Sequence, residues 1–293
     1  MCDRRGGDLR GNELVETALA AAREAAEVHR AYLGRVRVED WSEKGIADFV
    51  THVDREAEAG IVAHIRTRFP DHGVVAEEAE AERDSGSGVP LSELGRREWT
   101  WLIDPLDGTT NYLHRYPMYA VSIGVACGSE LQAGVVINSV TGEEWVAVRG
   151  GGARLNGAPV HVSEIDLLSR ALIGTGFPFR ALDMLPLYTP QFESVVRNCS
   201  GVRRAGSAAL DLCHVASGYF DGFWELSLAP WDVAAGTLIV REAGGIVTRL
   251  DGDAHVLGHG SIVAGNPAVH AALAALLNGR AHPSASGPDG TAR

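Results

Sequence analysis

Residues 99–112, WTWLIDPLDGTTNY, constrain this chain's fold more than any other stretch. The apolar run Trp101-Leu102-Ile103 reads as a buried strand that should stop at Asp104, because Pro105 lacks an N–H and fixes φ. Pro105-Leu106 then supplies a turn that returns Asp107 beside Asp104, and Gly108 tolerates backbone that a Cβ would obstruct. Two carboxylates this close repel unless a cation lies between them. Gly108-Thr109-Thr110 would open a helix whose unpaired N–H groups favour an anion such as phosphate. The same residues also suit a plain Asp-Gly turn with Asp107 as a helix N-cap.

At 293 residues the chain is long enough for one large domain or two closely packed lobes. With 26 basic and 38 acidic residues the formal net charge is −12, which disfavours a general nucleic-acid surface. No apolar run is long enough to span a bilayer, and the first residues lack the apolar centre of a signal peptide. The four cysteines, Cys2, Cys127, Cys199 and Cys213, show no Cys-x-x-Cys spacing and read as reduced thiols of a cytoplasmic protein. Cys213-His214 lies among apolar residues at helical spacing, which indicates a buried helix position rather than a nucleophile or zinc ligand.

In chain order, a polar arm over residues 1–12 precedes an Ala-rich helix over 14–33. Asp54 fits the N-cap of the next helix, with Ala57, Ile61, Ile65 and Phe69 following on one face. Val74-Val75-Ala76 makes a short strand that ends at Glu77-Glu78. Residues 79–98 are charged and without periodicity, as a flap would be. Residues 119–126, 131–138 and 144–148 read as successive antiparallel strands. From residue 171 onward, strand and helix signals alternate, which indicates α/β organisation. The expected division is one domain over 13–278 with lobes at about 13–155 and 156–278, followed by a disordered tail over 279–293. Asp232, before an Ala-rich helix, and Asp54 are both good N-caps taken singly.

Taken together, Glu77, Asp104, Asp107 and Asp232 all fall at element ends. The motifs WLIDPLDGTTNYLH (residues 101–114) and PWDVAAGTLIVREAGG (residues 230–245) resemble those of the inositol monophosphatase family. DFVTHVD, VVAEEA, GSAALDLCHVASG and Phe223-Trp224-Glu225 follow the same family order, so the resemblance covers about residues 14–277. It implies a layered α/β/α/β/α sandwich of the inositol monophosphatase and fructose-1,6-bisphosphatase type, usually a homodimer.

The resemblance also implies a site holding two or three Mg²⁺ ions. Glu77, Asp104 and the main-chain carbonyl of Leu106 match ligands of a first ion, and Asp104, Asp107 and Asp232 match ligands of a second. Asp54 and Thr109 match a pair that orients and helps deprotonate the attacking water, with Glu77 also counted as catalytic. Asp107, Gly108 and Thr109 match phosphate contacts, and Ser207, Ala208 and Glu225 match the region that receives substrate hydroxyls. The implied activity is lithium-sensitive hydrolysis of an inositol monophosphate by in-line attack of a metal-activated water.

Histidinol phosphate and fructose 1,6-bisphosphate are the alternative substrates, and binding to the transcription machinery is the alternative of another class. Hard, all-oxygen donors suit magnesium better than zinc, which agrees with the implied cofactor. His114 reads as an outer hydrogen-bonding residue. The loop Lys44-Gly45-Ile46-Ala47-Asp48 is one residue shorter than the family's Lys-Ser-x-x-Asp pattern, which leaves Lys44 outside the expected site.

Overall fold

The computed structural model describes residues 7–37, 39, 41–45, 48–79, 98–258 and 260–279. Residues 1–6 of the expected arm, 80–97 of the expected flap and 280–293 of the expected tail lie outside the described residues, as does the Lys44 side chain.

The strands are β1 Ser42–Gly45, β2 Asp48–Val50, β3 Gly73–Ala76, β4 Trp99–Asp107, β5 Ala120–Cys127, β6 Glu130–Asn138, β7 Glu144–Val148, β8 Gly152–Leu155 and β9 Ala158–Pro159. They continue with β10 Leu172–Thr175, β11 Gly201–Arg203, β12 Gly222–Leu228, β13 Ile246–Thr248 and β14 Gly260–Gly265. β3 to β9 form a seven-stranded sheet in chain order, parallel only at β3/β4. A five-stranded sheet has the order β11-β10-β12-β14-β13, with β10 parallel to both neighbours.

Helices Gly7–Tyr32 and His52–Arg68 cover one face of the larger sheet. Leu14, Ala18, Ala21, Ala22 and Ala25 of the first are buried, as their spacing predicts, although that helix begins at Gly7 rather than at residue 14. Helices Ala208–Ala216 and Pro230–Glu242 fill the space between the two sheets. Helices Leu185–Asn198 and Pro267–Leu277 cover the outer face of the smaller sheet. The result is the expected layered sandwich, in which each apolar face is covered by another layer.

Close backbone approach sets the middle layer. A Cβ on Gly124 of β5 would lie 2.6 Å from the Cβ of Ala234, and one on Gly134 of β6 would lie 2.8 Å from the Ala235 carbonyl. These glycines let the 230–242 helix rest directly on the sheet, so that its first turn ends beside β4.

Two expectations are corrected here. β4 does not stop at Asp104: it runs through Pro105 to Asp107, and its pairing with β5 shifts register between Asp104↔Ser122 and Asp107↔Ala120. A bulge accommodates a proline that a regular ladder would exclude. Cys127 is disulfide-bonded, whereas Cys199 and Cys213 are free thiols. The all-reduced reading rested on spacing, and spacing does not report pairing between residues distant in sequence. The buried helix position of Cys213 is as expected.

Candidate active site

A cavity of about 320 Å³ opens where the end of β4 meets the middle helical layer. Glu77 follows β3, Asp104 and Asp107 lie on β4, and Asp232 sits in the first turn of the 230–242 helix; all four line the cavity. Leu106, Gly108, Thr109 and Ala208 line the same wall, with Glu225 of β12 also facing the cavity. Ser207 adjoins it through Asp107, and Asp54 through Thr109.

Asp54 and Asp232 share one local device. Each is the third residue of its helix rather than the expected N-cap. Asp54 Oδ2 accepts from the Thr51 amide at 2.9 Å and the Thr51 hydroxyl at 2.7 Å, and Asp232 Oδ2 accepts from the Ala229 amide at 2.7 Å. A carboxylate that closes a capping interaction with one oxygen keeps the other for further contacts. Asp54 Oδ1 is met by the Thr109 hydroxyl at 3.2 Å, which also lies 3.1 Å from the Leu106 carbonyl.

Asp107 is held from the opposite side. Its Oδ2 accepts from the Ser207 hydroxyl at 2.6 Å and from the Ala209 amide at 2.8 Å, at the start of the 208–216 helix. Gly108 has φ +94°, and a Cβ there would stand 2.9 Å from the Met118 carbonyl, so glycine is required on both counts.

The electrostatics are those of crowded acids. Burial, then the charges of Glu77, Asp107 and Asp232, hold the Asp104 carboxyl well above its ordinary range, and Asp104 and Glu77 share a hydrogen bond. Burial also raises Asp232 to about 7, with Glu77 adding to the effect, and Asp107 to about 6 against the donors at Ser207 and Ala209. A hydrogen bond between two carboxyls needs a proton between them, and a hard cation would take that proton's place.

The donor set is carboxylate and carbonyl oxygen, and among the described residues no His or Cys lines the cavity. This chemistry fits a hard divalent cation. As they stand, the side chains do not close around one: among the described residues no three His, Cys, Asp or Glu form a group that could hold a metal ion.

Other residues at the site carried no signal in the sequence reading. Arg180 lies 3.8 Å from Glu77, and both Arg180 and Arg204 line the cavity. The Asn111 side-chain amide donates to the carbonyls of Met118 at 2.6 Å and Ala205 at 2.9 Å, tying the 109–113 turn to the loop before Ser207. His114 is exposed, stacks edge-on against Trp41 and does not line the cavity.

Comparison with known proteins agrees with this architecture. Residues 11–282 match the profile of the inositol monophosphatase family. The chain belongs to that family of phosphomonoester hydrolases, and membership points to divalent-metal-dependent chemistry in general. The Nus factor SuhB of Pseudomonas aeruginosa is 44% identical over 273 residues, covering 92% of this chain and 98% of that protein. The crystal structure of extragenic suppressor protein SuhB from Bartonella henselae superposes with a TM-score of 0.81 at 37% identity, covering 90% of this chain and 98% of that one. Inositol monophosphatase from Anabaena (Nostoc) sp. PCC 7120 superposes with a TM-score of 0.79 at 36% identity, covering 92% and 96% of the two chains. Among the described residues no helix is long and apolar enough to cross a membrane.

Proposed function

We propose that this chain is a Mg²⁺-dependent phosphatase that hydrolyses an inositol monophosphate to inositol and phosphate. The observation that carries the reading is the meeting of Glu77, Asp104, Asp107 and Asp232 in one cavity beside the Thr109–Asp54 pair. Glu77, Asp104 and the Leu106 carbonyl would hold one ion, and Asp104, Asp107 and Asp232 a second. When bound, such ions neutralise phosphate charge and lower the pKa of water.

Thr109 and Asp54 orient the attacking water and take its proton. Glu77, beside Asp104, belongs to the same catalytic group. Asp107 and the amides of Gly108 and Thr109 contact the phosphate. Glu225, with Ser207 and Ala208, receives the hydroxyls of the alcohol. Ser207 is not the nucleophile in this reading, because its hydroxyl donates to Asp107 and accepts from the Leu210 amide at 3.4 Å.

Burial raises Glu225 to about 8, against the opposing charge of Arg204. A carboxyl in that state both donates and accepts, so it can exchange hydrogen bonds with the neighbouring hydroxyls of a polyol, which supports a polyol monophosphate as the substrate. Phosphate release from a panel containing an inositol monophosphate, histidinol phosphate and fructose 1,6-bisphosphate tests the choice. The highest kcat/KM should fall on the inositol ester, and preference for either other ester overturns it.

The 44% identity to the P. aeruginosa Nus factor SuhB supports a second role as an interaction protein of the transcription machinery. Recovery of RNA polymerase with the tagged chain, together with an active-site variant that retains biological function, would favour that role.

A further inference from the structure

Arg204 follows β11 and lines the cavity together with Glu225, on whose carboxyl its charge acts. Its guanidinium sits over two rings, 5.6 Å from the centroid of Phe177 and 5.2 Å from that of Phe179, and both rings line the cavity as well. Such cation–π seats hold a guanidinium by its charge and use none of its N–H donors. On a third side Gly206, at φ +89°, makes room: a Cβ there would overlap Arg204 Nη1. The Asn111 amide fixes that backbone through the Ala205 and Gly206 carbonyls at 2.9 and 3.2 Å.

Arg204 is therefore placed from several directions, yet its N–H donors meet no protein acceptor among the described residues. A guanidinium has five donors in a fixed fork. A positioned fork that faces the cavity and lacks a protein acceptor is suited to a ligand.

The carboxyl that shares the cavity with Arg204 indicates which ligand. Glu225 faces the same end of the cavity, its carboxyl packed where a Cβ on Gly176 would overlap it. The charge of Arg204 acts on the Glu225 carboxyl, and Arg180 lies beside Glu77. This end of the cavity thus pairs a donor fork with a carboxyl. Neighbouring hydroxyls satisfy both groups, one accepting from Arg204 and the other bonding to Glu225.

We propose that Arg204 is a specificity-determining residue whose guanidinium donates to hydroxyl oxygens of the substrate's alcohol, next to Glu225. This rests on the phosphatase reading above.

The test compares kcat/KM of the full chain and its Arg204→Met and Arg204→Lys variants, in Mg²⁺, on an inositol monophosphate, on fructose 1,6-bisphosphate and on phenyl phosphate, which has no hydroxyl. In Arg204→Met the ratio of kcat/KM for the polyol ester to that for the phenyl ester should fall about tenfold, through KM, as loss of a hydrogen bond to a charged group implies. Arg204→Lys keeps the charge without the fork and should recover only part of the ratio; it carries the test if the Met variant does not fold. Equal losses on both esters make Arg204 a structural residue and overturn the proposal. A loss confined to fructose 1,6-bisphosphate assigns it to an anion and also overturns the proposal. Absence of wild-type turnover on every ester contradicts the phosphatase reading itself and removes the proposal with it.

Discussion

The Ser207 hydroxyl donates to Asp107 Oδ2 at 2.6 Å, joining two halves of the cavity wall that are 100 residues apart in the chain. The same hydroxyl caps the 208–216 helix by accepting from the Leu210 amide. Ser207→Ala removes both interactions and should cost about 1 kcal/mol of stability, typical of a lost N-cap. Asp107 keeps the Ala209 amide, so activity should fall by roughly tenfold rather than vanish. Urea unfolding and steady-state kinetics on one protein sample separate the two effects.

Thr109 bridges the Asp54 carboxylate and the Leu106 carbonyl through one hydroxyl. Thr109→Val keeps the shape and removes that hydroxyl. If the pair prepares the attacking water, kcat should drop by about 10²-fold or more with a smaller change in KM. Thr109→Ser should retain most of the rate. A Val variant with near-normal kcat would remove Thr109 from the mechanism.

Gly124 touches no substrate in this account, yet it sets how closely the 230–242 helix approaches the sheet. Gly124→Ala should destabilise the fold by about 1–3 kcal/mol through overpacking. By lifting Asp232 it should also raise the Mg²⁺ concentration needed for half-maximal rate. Thermal unfolding and a Mg²⁺ titration check both outcomes.

The raised carboxyls give stability a pH dependence of known sign. Folded-state values of about 6 for Asp107 and about 7 for Asp232 exceed the ordinary aspartate value. Across that interval the folded chain binds more protons than the unfolded one, so stability falls as pH rises. In chelator, the Tm should therefore decline from about pH 4 to about pH 7, apart from contributions of other groups. Added Mg²⁺ should raise the Tm more at about pH 8 than at about pH 5, where protons compete for the same oxygens. An equal effect at both values would contradict the carboxylates as its binding site.

Much of this site was legible because its acids stand at element ends, where neighbouring Pro, Gly and apolar runs mark the boundary. Asp104, Asp107 and Glu77 could be read in this way. The detail of the β4 end could not: whether a proline ends a strand or rides on a bulge depends on the partner strand, here β5 with its register shift. The helix position of Asp54 is ambiguous in the sequence for a related reason: Thr51 three residues earlier is an equally good cap, and the reciprocal pairing makes Asp54 the third helical residue. Arg204 left no trace in the sequence because its seat is made by Phe177 and Phe179, which reach it only through tertiary packing.

Phosphate release by wild type and Asp104→Asn, titrated with Mg²⁺ on an inositol monophosphate, tests the central claim most directly. Asp104 is the carboxylate on which the charges of Glu77, Asp107 and Asp232 all act. The account predicts that the wild-type rate rises from zero with Mg²⁺, and that the Asn variant loses that rate while keeping its fold by circular dichroism. Mg²⁺-independent turnover by the wild type, or near-normal turnover by the folded variant, would contradict it.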